Sequence, residues 1–313
     1  MTSMLSILVL IPSLIATDPQ IELTGEQVLA NAIKARATVK SGHVTVTERF
    51  WVAEGNVQTV TCWEGYFDEG RFRLAFDDVG ARRRGITERR PGFTGPIAVF
   101  TWDGRHILRE LHHHGDIRTT YTVHRLKEAG WTTPNPRWLG LPGTIPRTPT
   151  LEQLMRADHP VSGVVKTGSV YRVAFKENVE RWKRDGLTDL VDSHAALLID
   201  SARGWSVVGF ELTRQHAGGL NFRIRADIDV AETNGVWFPT HVQRVQFRNT
   251  TVDWVREETI TLHEANNPLD ESLFTWKGTG IPRHQEIISY ATGVPHARWD
   301  GAKAVPITNR PSR

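Results

Sequence analysis

Residues 221–230 read Asn-Phe-Arg-Ile-Arg-Ala-Asp-Ile-Asp-Val. Phe222, Ile224, Ala226, Ile228 and Val230 share one parity, and Arg223, Arg225, Asp227 and Asp229 share the other. A period of two sorts residues in this way because successive side chains of an extended chain point to opposite faces. A helix would scatter the four charges around its circumference. The stretch therefore reads as a strand with one dry and one wet side, as in an antiparallel sheet packed on one face only.

The same period continues in both directions. It marks strands at 43–52, 57–67, 71–76, 97–102, 106–111 and 117–124, then at 161–166, 170–175, 194–200, 205–213, 236–238, 241–248 and 252–262. Asp68-Glu69-Gly70 and Asp103-Gly104 supply turn residues between neighbouring strands, and the other connections are of hairpin length. The fold class expected is mainly β: an open (half) antiparallel β-barrel of about eleven strands, with short helices as lid. Its inward residues would be Phe50, Phe72, Leu74, Phe76, Phe222, Ile224, Ile228 and Phe247.

Two helices fit the lid. Thr24 and Gln27 have the spacing of a capping box, and Val28/Ala32, Leu29/Ile33 and Ala35/Val39 then form a narrow apolar stripe, with Gly42 expected to end the helix. Thr150-Leu151-Glu152-Gln153 repeats the capping pattern and starts a short helix through Leu154 and Met155. That second helix falls inside a Pro-rich insertion at 125–160, the length and composition of a lid or binding loop. The lid residues expected are Val28, Leu29, Ile33, Leu151, Leu154 and Met155.

The ends of the chain differ in character. Residues 1–16 carry an apolar run, too short to span a bilayer with comfort, which reads as a signal peptide. Residues 17–280 would be the half-barrel domain, and 281–313 a polar, loosely held tail. Export follows as the expected fate, with a mature chain that is soluble after cleavage.

Composition narrows the function. Apolar residues make up 39% of the chain, enough for a core, and eleven Trp suit a cavity rim or the ends of a sheet. The net charge is +3. Arg82, Arg83 and Arg84, with Arg89 and Arg90, form the one basic cluster, suited to transient contact with an anionic membrane surface. No nucleic-acid-binding motif accompanies it. Cys62 is the only cysteine, so no internal disulfide forms, and its strand position reads as a small core residue.

No catalytic residue, metal site or cofactor is expected, because no nucleophile elbow, phosphate loop, dinucleotide fingerprint or metal helix is present. His112-His113-His114 alternate faces in a strand and do not converge on one ion. Asp192-Ser193-His194 hold the letters of a hydrolase triad, but neighbours in a strand cannot meet as a triad must.

A family resemblance rests on five stretches in order. They are the helix at 23–40 leading into Val44-Thr45-Val46, the Trp102-Asp103-Gly104 hairpin, Asp200-Ser201-Ala202-Arg203-Gly204-Trp205, Gly235-Val236-Trp237-Phe238-Pro239-Thr240, and Asn267-Pro268-Leu269-Asp270-Glu271-Ser272-Leu273-Phe274. Together these resemble the LolA/LolB-like envelope proteins over roughly residues 23–274. The resemblance implies an open barrel whose helices close a hydrophobic cavity for acyl chains. The function that the resemblance implies is an exported soluble carrier of lipid or lipoprotein in the bacterial periplasm or cell envelope. The alternatives are a periplasmic sensor or interaction module, with an envelope protein partner, that uses the same cavity, and a secreted hydrolase.

Overall fold

The computed structural model describes residues 23–52, 57–77, 98–112, 119–125, 136–140, 160–184, 186–289 and 292–307. The apolar run at 1–16, Arg82, Arg83, Arg84, His113, His114, Leu151, Leu154 and Met155 lie outside these residues.

Helix α1 (Gly25–Ala37) begins with the capping box that the sequence predicts: Thr24 Oγ1 accepts from the Gln27 amide at 3.3 Å, and the Thr24 amide donates to Gln27 Oε1 at 2.9 Å. Six strands follow, β1 (Ser41–Val52), β2 (Val57–Asp68), β3 (Arg71–Asp77), β4 (Ala98–Trp102), β5 (His106–His112) and β6 (Thr119–Arg125). Next come β7 (Val161–Thr167), β8 (Val170–Lys176), the short helix α2 (Val179–Arg184), β9 (Leu190–Asp200), β10 (Ser206–His216), β11 (Asn221–Thr233), β12 (Val236–Arg248) and β13 (Thr251–Ala265). The chain ends in β14 (Glu286–Ser289), β15 (Pro295–Trp299) and β16 (Ala304–Pro306).

All sixteen strands belong to one sheet, in the order β16-β15-β14-β6-β5-β4-β3-β2-β1-β13-β12-β11-β10-β9-β8-β7. Thirteen of them form two antiparallel meanders, β1–β6 and β7–β13, joined where β1 pairs with β13, and β14–β16 continue the sheet beyond β6. Its two outer strands, β7 and β16, do not pair with each other, so the sheet is open. Among the described residues the strand number is sixteen rather than about eleven. Three of the additional strands, β14–β16, fall in the stretch that the sequence reads as a polar tail. Residues 236–248 also run as a single strand through Pro239.

Strand β11 has the predicted register, with Ile224, Ala226 and Ile228 buried and Arg223, Arg225, Asp227 and Asp229 exposed. Helix α1 ends earlier than predicted, at Ala37 with Thr38 as its cap, and Gly42 lies inside β1. The glycine is needed there for another reason. A Cβ on Gly42 would sit 2.7 Å from Phe67 Cζ and 2.9 Å from the Glu264 carbonyl oxygen. Phe67 of β2 reaches over β1 and stacks on Phe238 of β12, with ring centroids 6.4 Å apart. Strands β2 and β12 are three positions apart, which is ~14 Å along a flat sheet, and the bare backbone at Gly42 lets Phe67 lean across β1 toward Phe238. Gly42→Ala is expected to cost about 1–3 kcal/mol by overpacking, read as a lower urea midpoint at unchanged slope.

Two further expectations are corrected. Cys62 is exposed. Its neighbours Trp63, Gly65 and Phe67 take the buried parity of β2, which leaves Cys62 facing outward. A thiol reagent should therefore label Cys62 in the folded protein. The tail is not loosely held at 286–289 and 295–306: β14 pairs parallel with β6, and β15 and β16 extend that edge. Ile281, Ile287, Ala297 and Trp299 form a second core with Leu108 and Tyr121, on the parity of β5 opposite to Ile107 and Leu111.

Candidate functional site

Helix α1 lies across β7–β10, and Val28, Leu29 and Ala32 on its underside join one continuous core with residues from β1 to β13. Ile33 packs at the margin of that core. The predicted wall residues Phe72, Leu74, Ile224 and Ile228 are buried in it, Phe76 packs against it, and Phe50 and Phe222 are half-buried on the same parity. Phe247 is the exception. It pairs across from Arg223 rather than Ile224, so it lies on the outer face, with the Arg223 guanidinium 4.3 Å from its ring centroid.

The α1-side face is apolar near the helix and charged farther along the strands. In register, Glu48 of β1 stands opposite Glu258 of β13, and Arg244 of β12 opposite Arg256 of β13. Like charges directly opposite repel, so each carboxylate bonds a guanidinium diagonally. Arg256 Nη2 donates to Glu48 Oε2 at 2.6 Å and lies 3.1 Å from Glu258 Oε1, while Arg244 Nη1 donates to Glu258 Oε1 at 2.6 Å. Arg244 and Glu258 are 2% and 3% exposed. Burial pushes the Glu48 carboxyl above its ordinary value against the opposing pull of Arg256. Sequence reasoning missed this quartet because its members lie on three strands.

A second polar group closes the β8–β10 end. Ser193 Oγ donates to Glu177, whose other neighbour is Arg214 Nη2 at 3.4 Å, and the Arg214 guanidinium covers the Trp182 ring of α2 at 4.5 Å. Asp192 and His194 bond each other at 2.7 Å on the opposite parity. The three letters of a triad are thus divided between two faces of the strand, as the alternation of β9 requires. Among the described residues no group of His, Cys, Asp and Glu is placed to hold a metal ion.

Beside α1 the face opens into a cavity of about 220 Å³ lined by Ala32, Ala35 and Arg36 of α1, by Trp205 and Val207, and by Val230, Val236, Trp237 and Pro239, among others. The turn before β10 shapes it. Asp200 accepts from the Ala202 amide, and Gly204 and Trp205 both have φ of 61°. A side chain at Gly204 would collide with the Trp237 indole, so the glycine lets Trp237 lie flat on the turn. Trp205 in turn stacks on Tyr171, with centroids 5.6 Å apart. Gly204→Ala combines a strained backbone with that collision, and it should lower the melting temperature and displace Trp237, visible as a shift in tryptophan emission.

Arg36 sits at the cavity edge, 8% exposed. Its Nε donates to the Arg137 carbonyl at 2.6 Å and Nη2 to the Leu139 carbonyl at 3.0 Å. Its Cζ lies 4.3 Å over the Phe238 ring. Residues 136–140, inside the predicted insertion, are therefore tied to α1 and bury Leu139 in the core. Arg36 also lies in the last turn of α1, where the helix end favours a cation by about 0.3–1 kcal/mol. That is small against the several kcal/mol that desolvating a charge costs. Burial, with the nearby positive charge of Arg137, pushes the Arg36 guanidinium down to about 9.

No family model and no curated protein matches the chain. Among solved structures it is similar to a LolA superfamily protein from Nitrosomonas europaea, at 10% identity and a TM-score of 0.43, over 81% of this chain and 98% of that one. It is also similar to the lipoprotein LppX of Mycobacterium tuberculosis, at 9% identity and a TM-score of 0.30, over 79% and 97% of the two chains. LprF of Mycobacterium bovis follows at 12% identity and 0.28, over 79% and 94%. No residue of this chain takes a role from these likenesses.

Proposed function

We propose that this protein is an exported carrier of lipid or lipoprotein, holding acyl chains against the α1-side face of its open sheet. The observation that supports the reading most is the cavity beside α1: an opening walled by Trp205, Trp237, Val207, Val230 and Val236 in a sheet that does not close. Each methylene buried there is worth about 0.8 kcal/mol, so an alkyl chain binds without polar recognition along its length. Export rests on the apolar run at 1–16, and cleavage near Ala16 should appear in the N-terminal sequence of exported material.

The binding test is titration of the full chain with a fluorescent long-chain fatty acid, alongside thermal melting. Ala35 lines the cavity on the helix side and is half-buried, so Ala35→Trp should fill the opening without crowding the core. Wild type should bind, and Ala35→Trp should lose at least ten-fold in affinity at a melting temperature close to wild type. A wild type that binds nothing removes the carrier reading.

A further inference from the structure

Arg36 is the one charged side chain among the residues lining the cavity. It meets no carboxylate among the described residues; its partners are two backbone carbonyls and the face of Phe238. A guanidinium carries five N–H donors. With one used at Nε and one at Nη2, the pair on Nη1 and the second on Nη2 bond to no described residue. One donor from each of Nη1 and Nη2 makes up the end edge of a guanidinium, which a carboxylate engages through two parallel hydrogen bonds. A buried guanidinium without a counter-anion is poised to gain from an anionic partner, because pairing offsets the cost of desolvating its charge. The lowered basicity of Arg36 agrees with a site that has no anion of its own.

The cavity, of about 220 Å³, is well above the ~10–15 Å³ that holds one water, which gives room for a head group and the carbons that adjoin it. We infer that this cavity is the head-group site for a carboxylate-bearing amphiphile, with the carboxylate on the end edge of Arg36 and the adjoining carbons against Trp205, Trp237, Val207 and Val230. This rests on the reading of the α1-side face as an acyl-chain surface, and it names the ligand class for that surface.

Calorimetric titration of the full chain with octanoate, octanol and octyl phosphate tests it. A charge-assisted pair in a desolvated site gives about ten- to a hundred-fold in affinity, so wild type should bind octanoate at least ten-fold more tightly than octanol. Arg36→Met should abolish that preference, and Arg36→Lys should keep part of it. If Arg36→Met does not fold, because the carbonyls of Arg137 and Leu139 lose their donor, the wild-type comparison still decides. Equal binding of octanoate and octanol by wild type overturns the inference, and so does a preference that survives in folded Arg36→Met. Octyl phosphate binding more tightly than octanoate overturns the carboxylate assignment. Octanoate bound with no binding of the long-chain fluorescent probe leaves the anion site standing and removes the carrier reading; binding of neither removes both.

Discussion

Arg244→Leu is expected to destabilise the protein by about 3–5 kcal/mol, the usual cost of removing one partner from a buried ion pair. Arg244 is 2% exposed and donates to Glu258 at 2.6 Å, and Glu258 in turn stands opposite Glu48 across the β1–β13 pair. Losing Arg244 leaves two carboxylates sharing Arg256 alone. The double variant Arg244→Leu/Glu258→Leu removes the stranded charge as well and should recover most of the loss. Urea midpoints at constant slope measure both. Equal loss in the single and double variants would mean that packing, rather than charge, sets the cost.

The same quartet carries a pH dependence. Burial raises the folded-state pKa of Glu48 above its ordinary 4.5, so between those two values the folded protein holds more proton than the unfolded chain. Stability from this group is therefore greatest at low pH and falls as pH rises through that window. Glu48→Gln lacks the titration, and its stability curve should be flatter than wild type just above the ordinary glutamate value. A wild type whose stability rises more steeply than that of Glu48→Gln over the same window sinks this assignment.

The open sheet was legible in the sequence because its strands alternate one wet and one dry side, most plainly at 221–230. Strand β12 deceives by the same rule. Val245 and Phe247 share a parity there and suggest an apolar inner face, yet Arg244 takes the buried parity and Phe247 the outer one. The signal that reverses the reading lies elsewhere, since Arg244 is satisfied by Glu258 on the next strand and Phe247 is covered by Arg223 on the previous one. Periodicity within one strand carries no information about cross-strand partners. Arg36 was hidden for a similar reason. A basic residue in the last turn of a helix reads as solvated and dipole-compensated, whereas its burial comes from carbonyls of an insertion 101 and 103 residues away. Trp205, Val207 and Trp237, the cavity walls, lay in motifs that could be read as turns and strand ends, and only the left-handed backbone at 204 and 205 brings them together.

Removal of residues 281–313 is expected to produce the largest effect of all, because these residues both fill a core and cover an edge. Ile281, Ile287, Ala297 and Trp299 are buried against Leu108 and Tyr121. Trp299→Ala alone should cost about 3–5 kcal/mol as a large-to-small change in a packed site. The truncation also strips β14 from β6, where Ile287, Ile288 and Ser289 pair with Tyr121, Thr122 and Val123. The freed edge of β6 then presents unpaired backbone donors and acceptors, which pair readily with another chain. The truncated protein should therefore melt earlier and self-associate in sedimentation, whereas Trp299→Ala, which keeps β14 in place, should lose stability and remain at the oligomeric state of the wild type. Tyr121 supplies a local readout. Burial, with Glu110 beside it, holds its hydroxyl up to about 12, and exposing it by truncation should bring its titration down toward 10, followed by NMR of the labelled ring. A truncated protein that melts with the wild type and keeps the high Tyr121 titration would show that β14–β16 cover nothing the sheet needs.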